Sequence, residues 1–304
     1  MKLLVIIVTY NAIQWIDKCL RSIVNSSVSA DIFIVDNGSA DGTQKYVKEH
    51  FPKVIFQQSE TNLGFGMANN IGLQYAIDNN FDYVYLLNQD AWVFHNTFEL
   101  LINISENNPQ FGILSPMQMQ ANRHYMDNNF VRNVCFQIDR NEFICDLYCK
   151  SLKNIYEVHG VMAAHWLISQ QCLKLVGGFS PSFPHYGEDD NWASRAIFWG
   201  FKIGIVPSAQ AVHDRETRQE TIQKKIYMFY IEQIKNISNP LLKTKYTFLR
   251  MIKQCLLLTY QTKKVSPLRY TFKFLMNIRT FKKNKQISIK SKMAFLESCS
   301  EYKN

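Results

Sequence analysis

Residues 2–11, Lys-Leu-Leu-Val-Ile-Ile-Val-Thr-Tyr-Asn, decide the fold, because an unbroken apolar run ends there in polar residues. An apolar run without alternation is typical of a strand that is buried on both faces of a parallel sheet. No glycine follows this strand, so the glycine-rich turn of a dinucleotide-binding fold is excluded. The chain also has no G-x-x-x-x-G-K-[ST] phosphate loop.

The pattern continues as alternating strands and helices. Three more apolar runs predict strands at residues 32–35, 54–56 and 83–87. Apolar residues at helical spacing predict helices over residues 13–23, 43–51 and 67–77. Four alternations within 90 residues predict an α/β fold with a doubly wound, mostly parallel sheet and right-handed crossovers.

The second half of the chain is less regular. Residues 118–160 are interpreted as extra strands or an insertion on the acceptor side. Helices are predicted over 170–176 and 192–199, and a strand over 203–206 that Pro207 ends. Amphipathic helices are predicted from residue 221 onward, and residues 282–304 are predicted to be frayed.

Polar residues follow the predicted strands at the edge where such sheets bind ligands. Asp36 either caps the next helix or accepts a hydrogen bond from a nucleobase or ribose. Asp90 either ends a strand or binds a hard divalent cation that grips phosphates. The acidic triplet Glu188, Asp189 and Asp190 suits the first turn of a helix. Its crowding also raises carboxyl pKa values, which suits a general base.

The net charge of +9 is unevenly distributed along the 304 residues. Residues 220–304 hold 18 Lys and Arg against 4 Asp and Glu, a net +14, whereas residues 1–219 carry −5. We therefore expect the basic tail to meet an anionic surface, either a membrane or a nucleic acid. The composition, with 47% hydrophobic residues, excludes a disordered or fibrous chain.

Location follows from what the sequence lacks. We expect a cytoplasmic protein, peripheral on the inner face of the membrane, because no secretory signal or membrane-spanning stretch is recognisable. The seven cysteines are odd in number and irregularly spaced, which indicates reduced thiols. Cys145 and Cys149 could form half of a zinc site, but no second close pair completes it.

Seven stretches in order resemble the GT-A fold family 2 glycosyltransferases, and among them the rhamnosyltransferase-like group of cell-surface polysaccharide synthesis, such as O-antigen or capsule. They include the Asp36-Asn37-Gly38-Ser39 turn, the Asn88-Gln89-Asp90 sequence, the Gly177-Gly178-Phe179 turn and His213. The resemblance covers about 210 residues and reaches the basic tail only loosely. It implies a catalytic domain over 1–219, divided into a nucleotide-sugar half (1–116) and an acceptor half (117–219), followed by the tail (220–304).

The resemblance also implies roles for single residues. Asp189 matches the catalytic base, with Glu188 and Asp190 in support. Asp90 and His213 match the ligands of Mg²⁺ or Mn²⁺, although His213 by itself is better explained as a surface or packed histidine than as a ligand. The implied nucleotide-binding residues are Thr9, Tyr10, Asn11, Asp36, Asn37, Asn62, Asn69, Asn88 and Gln89.

The implied reaction is a single displacement that inverts the anomeric carbon. The donor would be dTDP-rhamnose or a UDP-hexose, and the acceptor a glycan or a polyprenyl-linked oligosaccharide. Two alternatives stay open: a nucleic-acid-binding protein that uses the basic tail, and a sugar-nucleotide-binding relative without catalysis. A nucleotidyltransferase is disfavoured because the basic, glycine-rich phosphate loop is absent.

Overall fold

The computed structural model describes residues 1–135, 140–215, 221–242 and 248–297. Strand and helix alternate over the first 107 residues, as the sequence predicts. The elements of this part are β1 (Leu3–Thr9), α1 (Ile16–Val24), β2 (Asp31–Asp36), α2 (Thr43–His50), β3 (Ile55–Gln58), α3 (Phe65–Asp78), β4 (Tyr83–Asn88), β5 (Ala91–Val93) and α4 (Thr97–Asn107).

The second half is more helical than predicted. Residues 118–160, predicted as extra strands or an acceptor-side insertion, contain a short strand (Tyr156–Val158), but also a π-helical turn (Val131–Cys135) and two helices. The elements are β6 (Phe111–Met119), α5 (Asn128–Phe130), α6 (Arg140–Tyr148), β7 (Tyr156–Val158), β8 (His165–Ser169), α7 (Gln170–Val176), α8 (Glu188–Phe198), β9 (Lys202–His213), α9 (Ile222–Ser238), α10 (Phe248–Thr262) and α11 (Ser266–Lys290).

One mixed sheet joins the nine strands of the described residues, in the order β3-β2-β1-β4-β8-β6-β9-β5, with β7 beside β9. Strands β1 to β4 are mutually parallel, and β6 is parallel to β9. Strand β8 is antiparallel to both of its neighbours, β4 and β6. The predicted α/β class is confirmed, and the antiparallel strands are an addition that the alternation did not reveal.

Strand β9 does not end at Pro207, contrary to the prediction. Its register against β6 jumps between Pro116 and Met117, whose partners are Val206 and Gln210. Pro207 lies within this irregularity, where its missing N–H breaks no ladder hydrogen bond. The strand therefore continues to His213.

The core lies on both faces of the sheet. Alternate residues of β1 belong to different apolar clusters: Leu4 and Ile6 pack toward α3 and α7, and Val5 and Ile7 toward α1 and α4. All four side chains are completely buried. This two-sided burial is the physical reason why β1 reads as a continuous apolar run.

The tail packs against the body. The predicted fraying of residues 282–304 is wrong as far as Lys290, because Asn284 and Ser288 of α11 are buried. The Asn284 side chain donates to the hydroxyl of Ser182 (2.9 Å), and the Trp199 indole donates to the Ser288 carbonyl (3.2 Å). These contacts hold the tail on the loop that precedes α8 and on the residue that follows it.

No helix within the described part of the chain is both long enough and apolar enough to cross a membrane.

Candidate active site

The carboxyl ends of three parallel strands meet at one edge of the sheet. Thr9 of β1 is in register with Asp36 of β2, and Val8 is in register with Asn88 of β4. The predicted strand-end residues are therefore neighbours, as expected for a parallel sheet.

Asp36 is an internal acceptor. Its buried carboxylate accepts from the hydroxyl of Thr9 (2.7 Å), from the hydroxyl and N–H of Ser39 (2.5 and 2.9 Å) and from the amide of Gln44 (3.0 Å). Four donors fill the acceptor capacity of a carboxylate. A nucleoside that bonded to Asp36 would have to replace one of them.

Tyr10 presents its ring to solvent while its backbone is fixed. The Gln89 amide oxygen accepts from the N–H of Tyr10 (2.7 Å), and the Gln89 amide nitrogen donates to the Tyr10 carbonyl (3.2 Å). Asn11 has a left-handed backbone (φ 51°), and its side chain accepts from the N–H of Ala40 (2.9 Å). The Tyr10 side chain is 49% exposed, so a planar base could stack on its ring.

The segment before α3 connects this edge to the acidic triplet. The Asn37 side chain accepts from the N–H of Leu63 (3.3 Å), and Asn62 forms a turn by accepting from the N–H of Gly64 (2.9 Å). A Cβ on Gly64, whose φ is +78°, would lie only 2.7 Å from the carbonyl oxygen of Pro184. Only glycine permits this approach.

Asn69 and Asn70 are both buried, but they differ in what they bind. Asn69 donates to the Phe65 carbonyl of its own helix (2.9 Å). Asn70, which the sequence analysis did not assign, donates to the Phe179 carbonyl (3.0 Å) and accepts from its N–H (2.6 Å). Asn70 thus ties α3 to the Gly177-Gly178-Phe179 turn, and the Asn-Asn pair at the start of α3 was the signal for it.

The acidic triplet begins α8, four residues earlier than the predicted helix. Tyr186 and Gly187 both have left-handed backbones (φ 67° and 85°), which turn the chain sharply into the helix. Burial, with the charges of Asp189 and Asp190, raises the pKa of Glu188. Its Oε2 has no hydrogen-bond partner among the described residues.

Asp189 is half-buried beside two other carboxylates. Burial and the charge of Asp190 raise its pKa, whereas the positive charge of Lys235 acts in the opposite direction. The Lys235 ammonium lies 2.6 Å from the Asp190 carboxylate and 3.5 Å from Glu232. Lys235 belongs to α9 in the basic tail, where lysines are frequent, so no sequence signal set it apart.

Asp90 and His213 meet although 123 positions separate them. Strands β5 and β9 pair with Ala91 opposite His213, which brings Asp90 Oδ1 to 3.4 Å from His213 Nε2. Burial raises the pKa of Asp90, but the hydrogen bond and charge of His213 outweigh it, so the net pKa is lowered. The Asn88 amide lies 3.4 Å from the same imidazole nitrogen.

This pair fits a divalent cation that a ligand completes. A carboxylate and an imidazole are donors suited to Mn²⁺, and the imidazole is less suited to Mg²⁺. In the described ranges, no group of three or more His, Cys, Asp or Glu side chains is placed to hold a metal ion. Cys145 and Cys149 therefore have no third such ligand beside them there. Further ligands would therefore come from water or phosphate oxygens.

Arg215 sets a condition on that fit. Its guanidinium lies 3.1 Å from His213 Nδ1 and 3.4 Å from the carboxylate of Asp127. Because guanidinium only donates, Nδ1 accepts here and the ring proton lies on Nε2. Coordination through Nε2 would require that proton to move to Nδ1 and Arg215 to turn away.

A second histidine supports the first. His165 is completely buried, and burial lowers its pKa to about 3. Its Nε2 donates to the carbonyl of Val212 (3.0 Å), so its Nδ1 accepts from the Tyr85 hydroxyl (3.0 Å). This neutral ring fixes the backbone immediately before His213.

A polar cavity of about 460 Å³ borders His213 on the side of Arg215. Sequence reasoning missed it, because its walls come from the irregular segment after β6 and from the end of β9. Besides His213, its lining includes Asn122, Asp127, Asn129, Arg132 and Arg215.

Comparison with known proteins finds similarity to glycosyltransferases. Residues 4–148 match the family model described as Glycosyl transferase family 2. The chain is 23% identical to N-acetylglucosaminyl-diphospho-decaprenol L-rhamnosyltransferase of Mycobacterium tuberculosis over 234 residues, 69% of this chain and 75% of that protein. It is 31% identical to an uncharacterized glycosyltransferase of Mycoplasma pneumoniae over 112 residues, and it spans only 37% of that relative's length.

Solved structures share the fold at low sequence identity. TarS 1–349 of S. aureus superposes with a TM-score of 0.56 at 15% identity, covering 95% of this chain and 79% of that chain. It has also been crystallised with UDP-GlcNAc. GalNAc-T7 with UDP, GalNAc and Mn²⁺ gives a TM-score of 0.54 at 13% identity, covering 92% of this chain and 57% of that chain.

The sheet topology and these neighbours show the GT-A fold. Residues 4–148 match a family 2 glycosyltransferase domain, and a rhamnosyltransferase is among the relatives of the chain.

Proposed function

We propose that this protein is an inverting, metal-dependent glycosyltransferase that moves a sugar from a nucleoside diphosphate to a glycan or lipid-linked oligosaccharide. The observation that carries the proposal is the meeting of Asp90 with His213 at 3.4 Å, beside Asn88 at the carboxyl edge of the sheet. Two such donors next to a candidate nucleotide pocket suit a divalent cation, whose charge would balance that of a diphosphate.

The nucleoside would lie along the ends of β1 and β2. Tyr10 offers an exposed ring for stacking, and Thr9 and Asp36 form the floor of the pocket. Gln89 holds the Tyr10 backbone in place rather than presenting a free amide. The other members of the proposed pocket are Asn11, Asn37, Asn62, Asn69 and Asn88.

Asp189 is the proposed base. Its raised pKa brings it nearer to neutral pH than an ordinary aspartate, which improves proton transfer. It would take the proton from an acceptor hydroxyl while that oxygen attacks the anomeric carbon and the bond to the diphosphate breaks on the opposite face. Asp190 would supply the like charge that, with burial, raises its pKa, and Glu188 is the second proposed supporting carboxyl.

Asp90 and His213 would hold Mg²⁺ or Mn²⁺. When bound, the cation supplies positive charge for the departing diphosphate. Asn88, whose amide lies 3.4 Å from His213 Nε2, would hydrogen-bond the ribose or a water molecule on the cation.

Donor and acceptor are proposed from the relatives. Similarity to the rhamnosyltransferase supports dTDP-rhamnose as the donor of this chain. Similarity to TarS, which has been crystallised with UDP-GlcNAc, supports a UDP-hexose such as an N-acetylhexosamine. The name of the rhamnosyltransferase describes a lipid-linked acceptor. A similar acceptor would suit a role of this chain in surface polysaccharide synthesis, such as O-antigen or capsule.

The proposed location is peripheral, on the cytoplasmic face of the membrane, where the +14 tail would meet anionic lipid. The division into a catalytic body (1–219) and a tail (220–304) stays a prediction. The contact of Lys235 with Asp190 supports a contribution of the tail to the surroundings of the proposed base.

The test is hydrolysis of a panel of nucleotide sugars by the full chain in Mn²⁺, with and without Asp189→Asn. We expect one donor to be hydrolysed slowly, and the variant to lose about 10²–10⁴-fold in rate while its affinity for that donor is kept. Asp31→Asn, an exposed carboxylate at the start of β2, is the matched control. An undiminished rate in Asp189→Asn would remove Asp189 from this role, and binding without any hydrolysis would favour the non-catalytic alternative.

A further inference from the structure

Helix α10 has apolar residues on two opposite sides. Met251, Cys255 and Leu258 are buried against the rest of the tail. At about 100° per residue, a second set falls within a stripe of about 80° on the other side. Its members are exposed, Leu249 by 81% and Tyr260 by 83%, and the full stripe is Leu249, Ile252, Leu256 and Tyr260.

Helix α11 repeats this arrangement. Phe274 and Phe281 are buried, whereas Leu268, Phe272 and Met276 are exposed at a spacing of four residues. Phe272 is 66% and Met276 is 69% exposed. A surface helix in water ordinarily carries polar residues on its outer side. The outer sides of both helices are instead suited to contact with an apolar environment.

The surrounding charge has one sign. Residues 233–296 contain fifteen Lys and Arg and no Asp or Glu. Several of these cations flank the exposed stripes on α10 and α11, namely Arg250, Lys253, Arg269, Lys273 and Arg279.

This combination of charge and apolar surface selects one partner. A second copy of the chain that docked through the same face would bring equal positive charge against it, which costs free energy. A nucleic acid would satisfy the cations but would leave the exposed leucines and aromatics without apolar contacts. An anionic bilayer satisfies both, because its headgroups attract the cations and its acyl boundary accepts the apolar stripe.

We infer that α10 and α11 form a membrane-docking element, in which the exposed stripes enter the boundary between headgroups and acyl chains. The flanking lysines and arginines would extend their charged ends to the anionic headgroups while their stems cover apolar surface. This inference rests on the proposed function, whose lipid-linked acceptor would lie at a membrane. It deepens that function because it identifies the residues that would hold the catalytic body there.

The test is flotation of the full chain with vesicles. We expect binding to vesicles of phosphatidylcholine containing 30% phosphatidylglycerol, and much weaker binding to pure phosphatidylcholine. The triple variant Leu249→Ser, Leu256→Ser and Phe272→Ser keeps every charge, and we expect it to bind about tenfold or more weakly. The matched control is Val24→Ser, Leu147→Ser and Tyr148→Ser, three exposed apolar residues on the body, which should bind like the wild type.

A second measurement tests the inference even if the triple variant does not fold. Phe272→Trp should add indole emission that shifts to shorter wavelength with the anionic vesicles and is quenched by brominated lipid, whereas Tyr148→Trp should do neither. Equal binding by the stripe variant and the wild type, or an unshifted Phe272→Trp spectrum, would overturn the insertion. Binding to DNA or dimerisation without vesicle binding would also overturn it. Because flotation needs no turnover, this result is independent of whether donor hydrolysis is found.

Discussion

Replacement of Lys235 by Met tests whether the tail helps to set the proton affinity of the proposed base. The Lys235 ammonium lies 2.6 Å from Asp190, and its charge lowers the pKa of Asp189 against the opposing effects of burial and Asp190. Without Lys235, the full like charge of Asp190 acts on Asp189. The pKa of Asp189 should therefore rise further above its ordinary value.

The size of this change follows from the geometry. An opposite charge within about 4–6 Å moves a carboxyl pKa by about 1–3 pH units. Lys235 makes its direct contact with Asp190 rather than Asp189, and its side chain is 31% exposed. We therefore expect the pKa of Asp189 to rise by about half to one pH unit. A base acts only when deprotonated, so the acid limb of the rate profile should move to higher pH.

The assay is the pH profile of donor hydrolysis in Mn²⁺. Below the midpoint, Lys235→Met should be about three- to tenfold slower than the wild type, and well above it the two rates should converge. Lys225→Met, an exposed lysine on the same helix, is the control, and UDP affinity at high pH should be unchanged in both. A uniform loss of rate at every pH would refute the electrostatic reasoning and indicate a purely structural role.

Three further outcomes are expected. Asp90→Asn and His213→Ala should each weaken Mn²⁺ binding in the presence of UDP by about tenfold or more, measured by calorimetry, because each removes one of two protein donors. Tyr10→Ala should weaken UDP binding by about 1–3 kcal/mol if the base stacks on the ring, and Tyr10→Phe should not. An alanine at a positive φ costs about 1–2 kcal/mol of backbone strain. Gly177→Ala should lower the free energy of unfolding by more than this, because its Cβ would lie 2.3 Å from the Ala294 carbonyl oxygen. Gly42→Ala, also left-handed but with nothing within 4 Å, should show only that smaller loss in urea titration.

The first four strands could be predicted because each follows its neighbour through a helix, and because β1, β2 and β4 are buried on both faces. Strand β8 could not, since nothing in the run His165–Ser169 states that it enters between β4 and β6 in the opposite direction. Sheet order across distant segments depends on packing of the whole body rather than on local pattern. Pro207 misled for a related reason, because its effect depends on the register of a partner strand.

The candidate site was predictable as a set of residue types and not as a set of contacts. Polar residues at strand ends indicated which side chains would gather, and Asp90 does meet His213. The sequence did not reveal that neighbouring donors occupy Asp36, or that Asn69 bonds within its own helix. Lys235 was invisible because its partner lies 45 positions earlier in the chain.

The closing contacts of the tail have a consequence for synthesis. The N–H of Gly178 donates to Ala294 (2.8 Å), and the N–H of Glu297 donates to the Gln74 side chain (2.8 Å), 223 residues away. At about 5–20 residues per second, Glu297 leaves the ribosome roughly 10–45 seconds after Gln74. Throughout that interval the nascent protein exposes the surfaces of α3 and of the glycine turn that the tail later covers. A cell that makes this protein must therefore keep these surfaces from aggregating until residues 293–297 have been made.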